Sequence, residues 1–441
     1  MDRKWLRTAL IVLTLAIMQF TYWGEKIPLE RGAGWDGQQY REEVQDVVHM
    51  LLDGRIDAYH MHRILPFVFS HGLLGCVGLP PTEGNAMTVT IVANLFIVFC
   101  SMMLFFRIAD TQRWSRSTEV IGFSSVFFTV GVLKIWGYYP FLTDEMALFL
   151  ALLSCFHYLT NQRKGLIADG VLGMLVWPMI SLVVLVLVIF PMPASSQAPN
   201  DQTTKQPNDQ AASHLLRLLF ALWYPLLFAA FVVYKMRVHP GMPFAEMFAL
   251  RPSQGMRLAM VAVAATAVFF YLATRWITLD VSYLFKQLTD RRNLLRIVAG
   301  CATFVVVYKV VELHSAPAMF SVGEELAQMA QLPASDILVF LEAPFLYWGP
   351  FFLLLMASWP SVCRAACREG SLGLLITVLM SLAFLVDIET RKHISFFPFL
   401  LVLALNHVDG LRLRSWVAPV FAVLSLLMSA LFQRPRHAGG T

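Results

Sequence analysis

Apolar runs of membrane-crossing length follow one another down almost the whole chain, and this repetition constrains the fold more than any other feature. They cover 5–23, 87–106, 120–136, 141–159, 166–190, 215–234, 258–276, 294–311, 337–359, 371–386, 394–405 and 416–432. About 20 residues of helix cross a bilayer core, and a backbone in hydrocarbon must satisfy its own hydrogen bonds. None of the runs alternates polar and apolar residues as strands do, so each reads as helix. The expected fold is all-α: one polytopic transmembrane helical bundle over 1–441, of about 11 spans plus one broken or re-entrant helix pair. Composition agrees: the 441 residues are 57% hydrophobic and 14% charged, against roughly 45–50% and about 25% in soluble domains. The net charge of +5, from 34 basic and 29 acidic residues, is too small and too scattered for a nucleic-acid surface. Six cysteines, three of them inside apolar runs, form no secreted disulfide framework, and Cys363 and Cys367 read as incidental thiols.

The distribution of basic residues orients the bundle. The run 5–23 follows Arg3 and Lys4, carries Arg7 near its start and lacks a small-x-small cleavage site, so it reads as a retained anchor with its N-terminus inside. Alternation then puts Arg107, Arg113, Arg116, Arg163 and Lys164 inside, as basic loops prefer. The later basic loops, Arg364/Arg368 and Arg412/Arg414, also favour the inside, as does Lys286/Arg291/Arg292, which simple alternation places outside. A break at Trp177-Pro178 repairs this parity, because proline removes a backbone donor and clashes with the preceding turn. A hairpin of two half-length helices then returns 195–213, a polar linker rich in Gln, Asn, Asp and Pro, to the cytoplasmic side. Lys235, Arg237, Arg251 and Arg257 face outward in this arrangement. No phosphate-cradling glycine loop, zinc-protease motif or nucleophile elbow is present.

The polar load gathers in 24–86, an extracytoplasmic first loop in this topology. It carries Gly34-Trp35-Asp36-Gly37-Gln38-Gln39-Tyr40, then Glu42, Glu43 and Asp46 before an apolar-periodic stretch that suggests an amphipathic helix at the interface. It closes on Tyr59-His60-Met61-His62-Arg63-Ile64-Leu65-Pro66, where Arg63 is placed either to hold a lipid phosphate or simply to snorkel. Asp36 followed by Gly37 is equally a turn signal. Asp144 and Glu145 open another run, as a helix start or as carboxylates that could complete a divalent-metal or acceptor site with Asp36. His60 and His62 alone make an incomplete metal site. Trp276, Trp348, Trp359, Tyr138 and Tyr139 read as an aromatic belt.

Trp35-Asp36-Gly37-x-x-Tyr40 after the first run, with Arg63-Ile64-Leu65-Pro66 beyond it, resembles the first extracytoplasmic loop of the GT-C superfamily of polytopic glycosyltransferases, particularly bacterial mannosyltransferase-like members. Tyr139-Pro140-Phe141-Leu142-Thr143-Asp144-Glu145 is similar to a short acidic external loop of that superfamily. Asp387-Ile388-Glu389-Thr390-Arg391-Lys392-His393 before Phe397-Pro398-Phe399 is similar to its late Arg-bearing loop. The resemblance implies a GT-C-like fold in a bacterial inner membrane and a polyprenyl-phosphate-linked sugar donor. It also implies inverting transfer to a glycan, lipid or protein acceptor on the extracytoplasmic face. Asp36 would be the base, with Tyr40, Arg63, Asp144, Glu145, Arg391 and Lys392 binding substrate. No cofactor is implied beyond the divalent cation left open above. The chemistry fits: a phosphate leaving group needs cationic stabilisation, and an acceptor hydroxyl needs one positioned carboxylate.

Two other classes compete. A transporter or lipid flippase would need ionisable or helix-breaking elements near the bilayer midplane; few qualify, and the broken Trp177-Pro178 element keeps this reading open. A non-catalytic polysaccharide-assembly subunit would show no dependence on any single carboxylate.

Overall fold

The computed structural model describes residues 2–24, 33, 36–189, 256–276, 288–316, 339–368, 390–411 and 413–431, with scattered positions between 218 and 237 and between 372 and 376. Every regular element among them is helical. The polar linker 195–213, most of the runs 215–234 and 371–386, Gly34, Trp35 and Arg412 lie outside the described residues, as do the side chains of Arg391 and Lys392.

Helix α1 (Arg3–Trp23) leads to the first loop, which folds as α2 (Gly37–Leu52), the single turn α3 (Ala58–Met61) and α4 (Leu65–Val77). Sequence explains their limits. Pro66 occupies the first turn of α4, where its missing N–H costs nothing, and Gly78 ends the helix at φ +69°. The Thr82 hydroxyl accepts from the Asn85 amide to start α5 (Glu83–Thr111), and that of Ser115 accepts from the Thr118 amide to start α6 (Arg116–Phe127). The chain continues through a π-helical turn, Gly131–Ile135, into α7 (Trp136–Tyr138), then α8 (Asp144–Leu159), α9 (Arg163–Gly173) and α10 (Pro178–Ile189). Later come α11 (Met256–Ala273), α12 (Arg291–Leu313), α13 (Val339–Trp348), α14 (Pro350–Arg368), α15 (Phe397–Gly410) and α16 (Val417–Leu431).

Four of the described helices are long and apolar enough to cross a membrane: Arg3–Trp23, Glu83–Thr111, Asn293–Leu313 and Pro350–Cys367. A fifth span results if Arg116–Phe127 and Gly131–Tyr138 are counted together, although they bend by 47° at their junction. The run 120–136 is therefore broken where its apolar pattern reads as one straight helix. The π-turn supplies the physical reason, since it shifts the hydrogen-bond register and bends the axis.

One end of the bundle is clamped by charge. Glu119, fully buried at the start of α6, accepts from Arg3 and from Arg7 (Nε to Oε1, 2.7 Å). Arg7 also grips Asp110 at the end of α5 through two bonds of 2.6 and 2.9 Å. At the same end Asp409 near the end of α15 takes the Thr118 hydroxyl at 2.7 Å, and the Trp114 indole donates to Asn406. The basic loop at 107–116 and the end of α15 thus share the N-terminal end, as the distribution of basic residues leads one to expect.

The run 166–190 does break at Trp177-Pro178, and its two legs pack antiparallel. A Cβ on Gly173 would lie 3.0 Å from that of Ile180, and one on Gly170 would lie 2.8 Å from Val184, so bare glycine faces let the legs touch. The Ser181 hydroxyl donates to the Gly170 carbonyl at 2.6 Å. α10 thus runs back toward the end where α9 began.

Trp348 and Trp359 correct the aromatic-belt reading. Trp348 stacks on Phe397 with centroids 3.7 Å apart, and the buried Trp359 donates its indole N–H to the Ala273 carbonyl at 2.8 Å. Both fill the interior, and in Trp359 the carbonyl satisfies the one polar atom of the indole.

Candidate functional site

At the end away from the Arg3–Glu119 clamp, the first loop builds a compact polar cluster. Asp36 occupies the N-cap position of α2, yet its side chain makes no capping bond. Its carboxylate instead accepts the Tyr59 hydroxyl at 2.9 Å. The turn-residue reading thus describes the backbone only. The Arg63 guanidinium donates to the same Tyr59 oxygen and, at 3.5 Å, to the Tyr40 hydroxyl. It lies 3.8 Å from the centre of the Tyr59 ring and 4.7 Å from that of Trp177. Asp36, Tyr40 and Arg63, three of the expected site residues, are therefore brought together by Tyr59.

The α9–α10 turn holds this cluster from the other side. The Leu65 amide donates to the Leu175 carbonyl at 3.0 Å, and His62 Nδ1 donates to the Met174 carbonyl at 3.1 Å. The helix break is thus what carries Trp177 to Arg63. From a third side the His62 ring stacks on Tyr308 of α12 at 5.0 Å, and the Ala316 amide beyond α12 donates to the Ile56 carbonyl.

Inside the cluster, His60 Nδ1 lies 2.8 Å from Asp57 Oδ2, and the His60 backbone N–H donates to Asp57 Oδ1 at 3.0 Å. Burial tends to raise the Asp57 pKa, but these hydrogen bonds outweigh it and hold the carboxyl below its ordinary range. Glu43 of α2 is fully buried, and neither of its oxygens has a hydrogen-bond partner among the described residues. Burial, with repulsion from Asp57 and Glu42, pushes its pKa up to about 9, so it is protonated at neutral pH. Burial likewise lowers the His62 pKa. The Tyr40 phenol, stacked on Phe67 at 4.3 Å, is raised by the same cause and stays neutral.

Asp144 and Glu145 follow Phe141, which packs in one apolar cluster with Tyr40 and Phe67. Both are buried in the first turn of α8, where carboxylates favour the helix dipole. Glu145 accepts the Tyr22 hydroxyl at 3.1 Å and ties α8 to the end of α1. The Thr143 side chain makes no cap. Among the described residues no group of three or more His, Cys, Asp and Glu side chains could hold a metal ion, so the three-carboxylate site of Asp36, Asp144 and Glu145 does not form. The reason is that Glu145 is turned to Tyr22 and Asp36 to Tyr59. His60 and His62 likewise serve different partners. The backbone of Arg391 and Lys392 forms a short 3-10 turn, Thr390–Ser395, packed against α8 and α10.

Sequence reasoning missed Tyr59, Asp57, Glu43 and Trp177 as members of the cluster. Tyr59 carried a local signal, standing four residues before Arg63 in a helical turn. Trp177 carried only its place at a break. Comparison with family models, with curated proteins and with solved structures finds no match.

Proposed function

We propose that the chain is an integral membrane glycosyltransferase, GT-C-like in fold, that moves a sugar from a polyprenyl-phosphate-linked donor to a hydroxyl acceptor. The observation that carries this reading is the Asp36–Tyr59–Arg63 relay: a carboxylate and a cation joined by one phenol, at the end of the bundle away from the N-terminal arginines. In the reaction Asp36 removes the acceptor hydroxyl proton as the oxygen bonds to the anomeric carbon from the opposite face. The bond from that carbon to the phosphate oxygen breaks, and the phosphate leaves with the electron pair. Arg63 stabilises that charge, and Arg391 and Lys392 complete the clamp. Tyr40 orients Arg63, while Asp144 and Glu145 line the acceptor side.

On this reading the N-terminus and 195–213 are cytoplasmic, 24–86 faces outward, and the protein spans a bacterial inner membrane about 11 times, with the α9–α10 hairpin as its broken pair. The acceptor is a glycan, lipid or protein. A transporter or lipid flippase is the second reading, favoured by that same hairpin packed inside the bundle.

Mass analysis of lipid-linked sugars and surface glycans in cells lacking the protein tests the proposal. An accumulating lipid-linked sugar, cleared by the parent chain but not by Asp36→Asn, supports the enzyme. Clearance by Asp36→Asn equal to the parent argues for transport or assembly instead.

A further inference from the structure

The Asp57–His60 pair is a second polar feature of the cluster, and the relay above makes no use of it. A carboxylate only accepts hydrogen bonds, so the Asp57 contact at 2.8 Å fixes the His60 proton on Nδ1. In the neutral ring Nε2 then carries the lone pair. That atom is buried, the whole residue is only 7% exposed, and no donor among the described residues reaches Nε2. A buried acceptor without a donor is costly, and native structures rarely leave one. The ring is wedged edge-on between Tyr40 (centroids 4.8 Å apart) and Tyr59 (5.1 Å), the two phenols that receive Arg63.

We propose that the Asp57–His60 pair is a ligand subsite in which His60 Nε2 accepts a hydrogen bond from a hydroxyl of a bound sugar. The chemistry restricts the ligand group. In that neutral tautomer, with Nδ1–H committed to Asp57, Nε2 rejects a pure acceptor such as a phosphate or carboxylate oxygen and takes an O–H donor. The cluster thus divides its work: Arg63 suits an anion, and His60 a hydroxyl about one aromatic ring away. Asp57 is a positioning residue that sets the tautomer. That the hydroxyl belongs to a sugar rests on the glycosyl-transfer reading; that Nε2 awaits a donor does not.

The test uses the purified full-length chain in detergent with histidine labelled at both ring nitrogens by 15N, the His60 signals being identified by their loss in His60→Phe. The probes are methyl α-mannopyranoside and its permethylated form, which has no O–H to donate. The expected result is an unprotonated Nε2 in the free protein whose resonance moves with methyl mannoside and stays in place with the permethylated compound. A proton on Nε2, a response to neither compound or an equal response to both would each overturn the subsite. In transfer assays with the accumulated lipid-linked sugar, His60→Phe is expected to raise the acceptor KM about tenfold with kcat nearly unchanged, and His60→Gln, whose amide oxygen still accepts, to restore most of it. An unchanged KM in His60→Phe counts against the subsite. If His60 answers the sugar while Asp36→Asn keeps full clearance in cells, the transferase reading fails and the hydroxyl subsite stands. If Asp36→Asn blocks clearance while His60 is silent, the reverse holds.

Discussion

The guanidinium of Arg63 lies 4.7 Å from the ring of Trp177, a residue 114 positions further along the chain, at the break of a helical hairpin. A cation over an indole face, with its other side on the Tyr59 ring, is held in place by two ring contacts. The direction of the guanidinium is thus set by packing. The Tyr59 hydroxyl hands that order on to Asp36.

Cutting this relay should grade activity. Asp36→Asn keeps the size and turn preference of aspartate but accepts no proton, and is expected to lose about 10²- to 10⁴-fold in transfer rate. Tyr59→Phe keeps the ring under Arg63 and removes only the hydroxyl, so a loss of about tenfold is expected. Rates in membranes, normalised to protein level, check the order; Tyr59→Phe more damaging than Asp36→Asn would break the relay argument.

Arg391→Ala is expected to weaken donor use about ten- to 150-fold, the worth of one charge-assisted phosphate contact, and Arg412→Ala to leave it unchanged. Equal effects on donor KM would make Arg391 a topology charge only.

Glu43 predicts a pH dependence of stability. Its carboxyl binds a proton in the folded chain up to about pH 9, whereas an ordinary glutamate releases it near 4.5. Between these values the folded state holds the extra proton, so stability falls as pH rises, by up to about 1.4 kcal/mol per unit. Glu43→Gln should flatten the melting-temperature profile from pH 5 to 9, and the exposed Glu42→Gln should not. A parallel slope in parent and Glu43→Gln would refute the assignment.

Glu119→Gln should unfold at a lower temperature than the parent, because Arg3 and Arg7 lose their shared buried carboxylate. Fully buried pairs cost about 3–5 kcal/mol when one partner is removed. The loss here should be smaller, since the arginine side chains are 33% and 21% exposed. An unshifted thermal transition in detergent would show that Asp110 alone suffices.

A reporter fused after Asn208 should read cytoplasmic, because α10 runs back toward the end where α9 began. An extracytoplasmic signal would require another crossing before 195–213.

The apolar runs by themselves dictated an all-helical chain with membrane-crossing helices, because hydrocarbon leaves an unpaired backbone no alternative. Pro178 likewise announced the hairpin, its ring being incompatible with a continuous helix. Trp35-Asp36-Gly37-x-x-Tyr40 and Arg63 pointed to the first loop, and Asp36, Tyr40 and Arg63 do meet there. Their connection was not legible. Tyr59 and Trp177 are ordinary aromatics in the sequence and become partners of Arg63 only when α3, α4 and the α9–α10 turn dock. Glu43 reads as one more solvated acid of an amphipathic helix until the packing of α2 buries it. Asp144 and Glu145 stand as near in the sequence to an acidic site as any pair in the chain, yet Tyr22, more than a hundred residues away, claims Glu145. Periodicity and breakers act through neighbours along the chain and survive in the sequence; burial and hydrogen-bond partnership depend on which distant segments arrive, and only the tertiary structure decides that.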